Sequence, residues 1–301
     1  PRVCVGWAGR AARALTTLFS AAVLAVGALA VVPAPARAED VITTQEYFSY
    51  YHLDQARAKG YTGKGVTIAL IDGTVDTSAP ELKGANITDK SRCTIEEAPA
   101  GRSHATAMAS YLVAPAYGVA PDATLNTYQM SGSNSTSAGS CNIGGDRLDT
   151  YDQIINQAID DGAQIISISS SAREDNEAIK WAIARAMSRG VIIVNSAGNE
   201  GKDSNAQQLS RWSGVVGVSA IAADGSFADY SSWGNGVTTA AFGEPFTGRD
   251  YETGRIKTTF GTSNAAAITS GMLALARQKW PDATANQILQ VLTHTGLNPN
   301  H

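Results

Sequence analysis

Cysteine and histidine are scarce. The 301 residues contain three cysteines and four histidines, and no Cys or His spacing suits a metal ion, which argues against a zinc or iron–sulfur centre. Positive charge is short as well. Arg2, Arg10, Arg13 and Arg37 all precede Ala38, and beyond that point 19 basic side chains face 27 acidic ones, a formal charge of −8. Nucleic acid is therefore not an expected partner, because phosphate binding asks for a basic face. Internal repeats are lacking, and low complexity is confined to "SGSNSTSAGSCNIGG" (131–145), which reads as a polar loop. What remains is ordinary globular composition, 44% hydrophobic and 17% charged. The length suits one large domain or two small ones.

The N-terminus stands apart. Three arginines, an uncharged apolar run from Ala14 to Val32, and Ala36-Arg37-Ala38 together predict a secretory signal over residues 1–38. The run is also long enough to span a bilayer, so an uncleaved anchor is the competing reading. Either way the expected location is secreted or at the cell envelope, with membrane contact only through this segment. Beyond it remain Cys93 and Cys141. An even pair in an exported chain most simply forms one disulfide; two unpaired thiols are the other reading.

From Gly65 onward, Val- and Ile-rich runs alternate with helical patterns. The runs at 66–72, 123–130, 163–169, 190–198 and 214–221 read as strands buried on both faces. Helices are expected at 104–113, 147–162 and 174–190, then from Ser263 to Lys279 and from Thr284 to Leu292, with Pro281 between the last two. Strand, helix, strand in this order predicts an α/β fold with parallel strands and right-handed crossovers. In such sheets ligands gather at the carboxyl ends of the strands.

Three of those ends carry polar residues. "ALID" delivers Asp72, "VNSAGNEG" delivers Asn199, and "TTFGTS" delivers Ser263. Each has a bland explanation: Asp and Asn favour turns, and Ser favours helix N-caps. His104 in "GRSHATAM" is the histidine embedded in this region, where it is expected to open a helix of small residues. A serine nucleophile needs a base, the base needs a carboxylate to fix its tautomer, and the oxyanion needs an amide donor. Asp72, His104, Ser263 and Asn199 supply these four parts.

With those residues in view the chain resembles the subtilisin-like serine proteases. "IALIDGTVDTSAPEL" is similar to the family's aspartate motif, "HATAMAS" to its histidine motif, and "GVAPDATL" to the stretch that follows. "SAGNEG" matches the oxyanion-asparagine motif, "YSSWGNGVTTAAFGE" the approach to the serine, and "GTSNAAA" the serine motif itself. Such matches in consistent order from Tyr61 to Leu292 are specific where one would be weak. The resemblance implies a three-layer αβα domain over residues 61–301 with a mainly parallel sheet. It also implies endopeptidase activity through Asp72, His104 and Ser263, with Asn199 in the oxyanion hole.

The resemblance implies further details. An extended peptide would pair with Ser131, Gly132 and Ser133 on one side and with Ser167, Ile168 and Ser169 on the other. Hydroxyls at 169–171, where the family commonly has glycine, predict a narrowed first pocket for small or medium apolar side chains. No cofactor is required. Family members often bind structural calcium, but no acidic cluster here is specific enough to assign a site, and a monomer is expected. Residues 39–60 are too short for the folding prosegment many members carry, a shortness that resembles the mycosins, although no C-terminal membrane helix is visible and the C-terminus is read as truncated or of a different branch. A Cys93–Cys141 bridge would join two active-site loops and restrict the unfolded chain by about 3–4 kcal/mol. Several positions depart from the family pattern: Gly73-Thr74 after the aspartate, Ala105 after the histidine, and Asn264 and Ala267 after the serine. These departures sustain a rival reading, a catalytically impaired peptide-binding protein. A secreted esterase is disfavoured, since the G-x-S-x-G elbow is absent and the order of Asp, His and Ser differs.

Overall fold

The computed structural model describes residues 41–130, 137–170, 176–203 and 209–294. In chain order these form α1 (Glu46–Tyr50), α2 (Leu53–Ala58), β1 (Thr67–Asp72), β2 (Ile87–Asp89), β3 (Glu96–Glu97), α3 (Pro99–Val113) and β4 (Thr124–Gln129). Then follow β5 (Ser137–Ala138), β6 (Asn142–Ile143), β7 (Asp146–Arg147), α4 (Tyr151–Asp160), β8 (Ile165–Ile168), α5 (Glu177–Ser188) and β9 (Ile192–Ser196). The last part holds β10 (Val215–Ile221), β11 (Thr239–Phe242), β12 (Phe246–Arg249), β13 (Ile256–Thr259), α6 (Thr262–Lys279) and α7 (Ala285–His294). Seven strands make one sheet in the order β11-β10-β9-β8-β1-β4-β2, and every pairing in it is parallel.

Each central strand alternates its side chains between two cores, as the pleat requires. Ile68, Leu70, Val194, Val216 and Val218 join the core beneath α3 and α6, while Ala69, Ile71, Ile166, Ile168 and Ile193 join the one beneath α4 and α5. The result is a sheet between two helical layers, the α/β class read from the alternation of patterns. The five predicted strands are all present. Edge strands β2 and β11 escaped prediction because they are short and carry little of the Val and Ile that marks the centre.

Gly162 (φ 84°) and Gly190 (φ 69°) close α4 and α5 in the left-handed conformation that glycine adopts without a Cβ penalty. Thr284 caps α7, exchanging hydrogen bonds with Gln287, whose backbone N–H donates to Thr284 Oγ1 while Thr284 N–H donates to Gln287 Oε1. The Ala-rich composition of α6 also has a cause. Ala265, Ala266, Ala267 and Gly271 are buried, and a Cβ on Gly271 would lie 2.5 Å from Val119 Cβ. This helix packs against α3 and against the strands from β8 to β11, and bulky side chains would hold it off.

Ahead of the sheet, residues 42–51 pack into the same body. Tyr47 is buried beside Phe246 and Tyr111, and the Gln45 amide exchanges two hydrogen bonds with the Thr247 backbone on β12. The antiparallel β12–β13 pair thus anchored leads directly to the N-terminus of α6. Among the described residues no helix is long and apolar enough to cross a membrane.

Candidate active site

Asp72 is the last residue of β1, at the carboxyl edge of the sheet, with its side chain buried. Its Oδ1 accepts the Gly73 N–H at 2.8 Å and lies 3.0 Å from His104 Nδ1. A carboxylate accepting there keeps the imidazole proton on Nδ1 and leaves Nε2 unprotonated. His104 does not open its helix as expected. Pro99 starts α3 five residues earlier, at the first-turn position where its fixed φ fits, so His104 stands in the second turn. Burial drives the imidazole toward its neutral form. The charge and hydrogen bond of Asp72, with the charge of Glu97, outweigh that, and the His104 pKa lies above the ordinary value.

Ser263 stands in the first turn of α6, one residue past Thr262, and Gly261 holds the cap position. The hydroxyl therefore caps nothing. It donates instead to the Ser169 carbonyl at 2.6 Å, just beyond β8. Asn199 follows β9, and its Oδ1 accepts from both Thr262 N–H (2.8 Å) and Thr262 Oγ1 (2.9 Å). Because the backbone N–H can only donate, the amide orientation is fixed and Nδ2 is the free donor. A Cβ on Gly261 would lie 3.3 Å from that Nδ2, so the donor rests against the backbone just before the serine. His104, Asn199 and Ser263 line one cleft of about 230 Å³, together with Phe260, Asn264 and Lys257.

The groove residues need correction. Ser167 and Ile168 are fully buried in β8, with β1 on one edge and β9 on the other, so neither can pair with an added strand. Of that trio only Ser169 reaches the site, through its carbonyl. The partner segment, Ser131, Gly132 and Ser133, lies outside the described residues, as does Ser171 of the narrowed-pocket expectation. The departures from the family pattern are accommodated. Ala105 and Ala267 are buried, and Asn264 donates to the Gly243 carbonyl at 3.2 Å, so its polar side chain has a partner.

Two residues had not been singled out. Thr262 orients Asn199 and also accepts the Gly198 N–H through its hydroxyl at 3.1 Å. Glu97 accepts the Thr74 N–H two residues past Asp72, and its other carboxylate oxygen is buried. Cys93 and Cys141 are joined, with Cα atoms 5.6 Å apart. Among the described residues no group of three or more His, Cys, Asp or Glu is placed to hold a metal.

A parallel αβα domain with Asp, His and Ser brought to one side of the sheet is compatible with a serine hydrolase, and comparison with known proteins places it among the serine peptidases. A model of the subtilase family matches residues 63–301, and the chain belongs to that family. It is 28% identical to a thermostable alkaline protease of Halalkalibacterium halodurans, over 82% of this chain and 66% of that protein, just under two thirds of the relative's length. Subtilisin DY of Bacillus licheniformis is 26% identical over 81% of this chain and 88% of its own. Among solved structures, the prenylagaramide maturation protease PagA superposes with a TM-score of 0.65 at 24% identity, covering 82% of this chain and 90% of that one. The PatG macrocyclase domain reaches 0.69 at 20% identity over 82% and 88%. At such identities these two likenesses speak for the fold.

Proposed function

We propose that this chain is an exported serine endopeptidase that cleaves peptide bonds through Ser263, His104 and Asp72. The observation that carries the reading is the 3.0 Å contact between Asp72 and His104 at the edge of a cleft that Ser263 and Asn199 also line. Asp72 holds the tautomer that leaves His104 Nε2 as the base. In this mechanism Ser263 Oγ leaves the Ser169 carbonyl for that nitrogen, which shares its cleft, and attack on the scissile carbonyl follows. Catalytic hydrogen bonds of this kind commonly form only once substrate is bound. His104 takes the serine proton and returns it to the leaving amine, and the oxyanion is met by Asn199 Nδ2 and the Ser263 N–H. The chemistry needs no cofactor. An extended peptide or protein is the substrate, and the apolar N-terminal segment serves export.

The test compares the purified chain with its Ser263→Ala variant on casein, alongside labelling with a serine-directed phosphonate. Cleavage is expected to fall by at least about 10³ in the variant, and the label should sit on Ser263 alone. Casein turnover that survives the substitution would overturn the reading. The hydrogen bond from Ser263 to Ser169, rather than to His104, is the one observation that favours an impaired peptide-binding protein. Absence of label would establish that alternative.

A further inference from the structure

We propose that Glu97 is a positioning residue of the catalytic site: its carboxylate braces the turn that follows Asp72 and adds a second negative charge beside the Asp72–His104 pair. The inference deepens the proposed function and rests on it.

Glu97 fills a space left open by two glycines. A Cβ on Gly73 would lie 2.2 Å from Glu97 Oε1, and a Cβ on Gly101 would meet the same oxygen at 2.2 Å. The carboxylate thus occupies room that exists because neither Gly73, after Asp72, nor Gly101, in the first turn of α3, carries a side chain. Where the family pattern has Ser or Thr after the aspartate, this chain has glycine. A serine or threonine would collide with the carboxylate where it sits.

Bonding and burial come next. Glu97 accepts the Thr74 N–H, so it ties down the residue two positions from Asp72. Its Oε1 is buried with no hydrogen-bond partner among the described residues, as is Asp72 Oδ2. A carboxylate packed against Gly73, next to Asp72, with one buried oxygen unpartnered on each side chain, is unfavourable unless a positive charge forms nearby. The imidazolium of His104 is that charge, and it forms when His104 takes the proton of Ser263. Burial pushes the Glu97 carboxyl up against the Thr74 hydrogen bonds; the charge of Asp72 raises it further, and that of His104 opposes the rise. The other charged groups lining the cleft have partners of their own: Lys257 pairs with Asp250 and Arg249 with Glu81, both at 2.6 Å. Asp72 and Glu97 are the groups whose charges act on His104.

The surrounding chain also holds Glu97 in place. The segment bearing Glu97 is held by the Cys93–Cys141 bridge, by a two-way hydrogen-bond exchange between Ile95 and the Gln129 amide, and by the pairing of β3 with β5.

The experiment is an NMR titration of the His104 imidazole in the full chain carrying Ser263→Ala, with and without Glu97→Gln. Glutamine keeps the shape and an acceptor for Thr74 but removes the charge. The signal is assigned by its loss in His104→Asn. The expected result is a His104 midpoint lower by about half to one pH unit. In the chain with Ser263 intact, neutral His104 is the base, so activity is lost as pH falls through its pKa. The acid limb of kcat/KM should therefore move to lower pH in Glu97→Gln, with KM unchanged. Gly73→Ala, which displaces the carboxylate without removing it, should move the midpoint the same way. A midpoint that stays put in both variants overturns the proposal even if casein is cleaved. A midpoint that moves, while the chain with Ser263 intact cleaves no casein, upholds it and sinks the protease reading instead.

Discussion

Asn199 faces two ways, and two substitutions separate its roles. Its Oδ1 accepts from the Thr262 N–H and hydroxyl at 2.8 and 2.9 Å, while its Nδ2 is, in the proposed mechanism, the donor that meets a developing oxyanion. Asn199→Asp keeps an oxygen for Thr262 and replaces the donor with a second oxygen. Losing one oxyanion donor costs about 10²–10³ in kcat, and the repulsion between two negative groups makes that a lower bound. Stability should change by less than about 1 kcal/mol, since a carboxylate near the N-terminus of α6 is favoured by the helix dipole. Asn199→Leu removes both faces. The Thr262 N–H, in a residue only 1% exposed, is then left without its acceptor, at a cost of about 1–3 kcal/mol. For a domain of this size that is a fall in Tm of roughly 2–10 °C. Steady-state kinetics on a chromogenic peptide, read beside calorimetric Tm values, distinguish the two variants. The reasoning fails if Asn199→Asp keeps kcat within tenfold of the parent, if its loss appears in KM, or if both variants melt alike.

The Cys93–Cys141 bridge spans 48 residues, and replacing both cysteines with serine should cost about 3–4 kcal/mol by restoring freedom to the unfolded chain; equal denaturation midpoints in urea would contradict this. Gly271→Ala should destabilise by about 1–3 kcal/mol, because the added methyl would stand 2.5 Å from the stiff, β-branched Val119 side chain. A Tm equal to that of the parent would show that α6 can shift away from Val119 without penalty.

The sheet was legible because central parallel strands must be apolar on both faces. Runs such as "TIALID" and "IIVNS" carry that requirement in their own composition. The start of α3 was not legible, since "PAGRS" has no apolar period and only the proline marks its first turn. Within the candidate site, Asp72, His104, Asn199 and Ser263 could be named from sequence because each lies inside a motif of familiar type near a strand end or a helix start. Ser167 and Ile168 were named for the groove for a related reason: "ISISSS" has no internal mark of where β8 stops. Glu97 was hidden differently. A carboxylate 25 positions from Asp72 along the chain carries no local signature, and its placement depends on the Cys93–Cys141 bridge and on the Gln129 amide, neither adjacent to it in sequence. The trace it did leave was an absence, the glycine after Asp72. A missing side chain in a motif marks a site where something else has taken the space, and only the folded chain reveals which group that is.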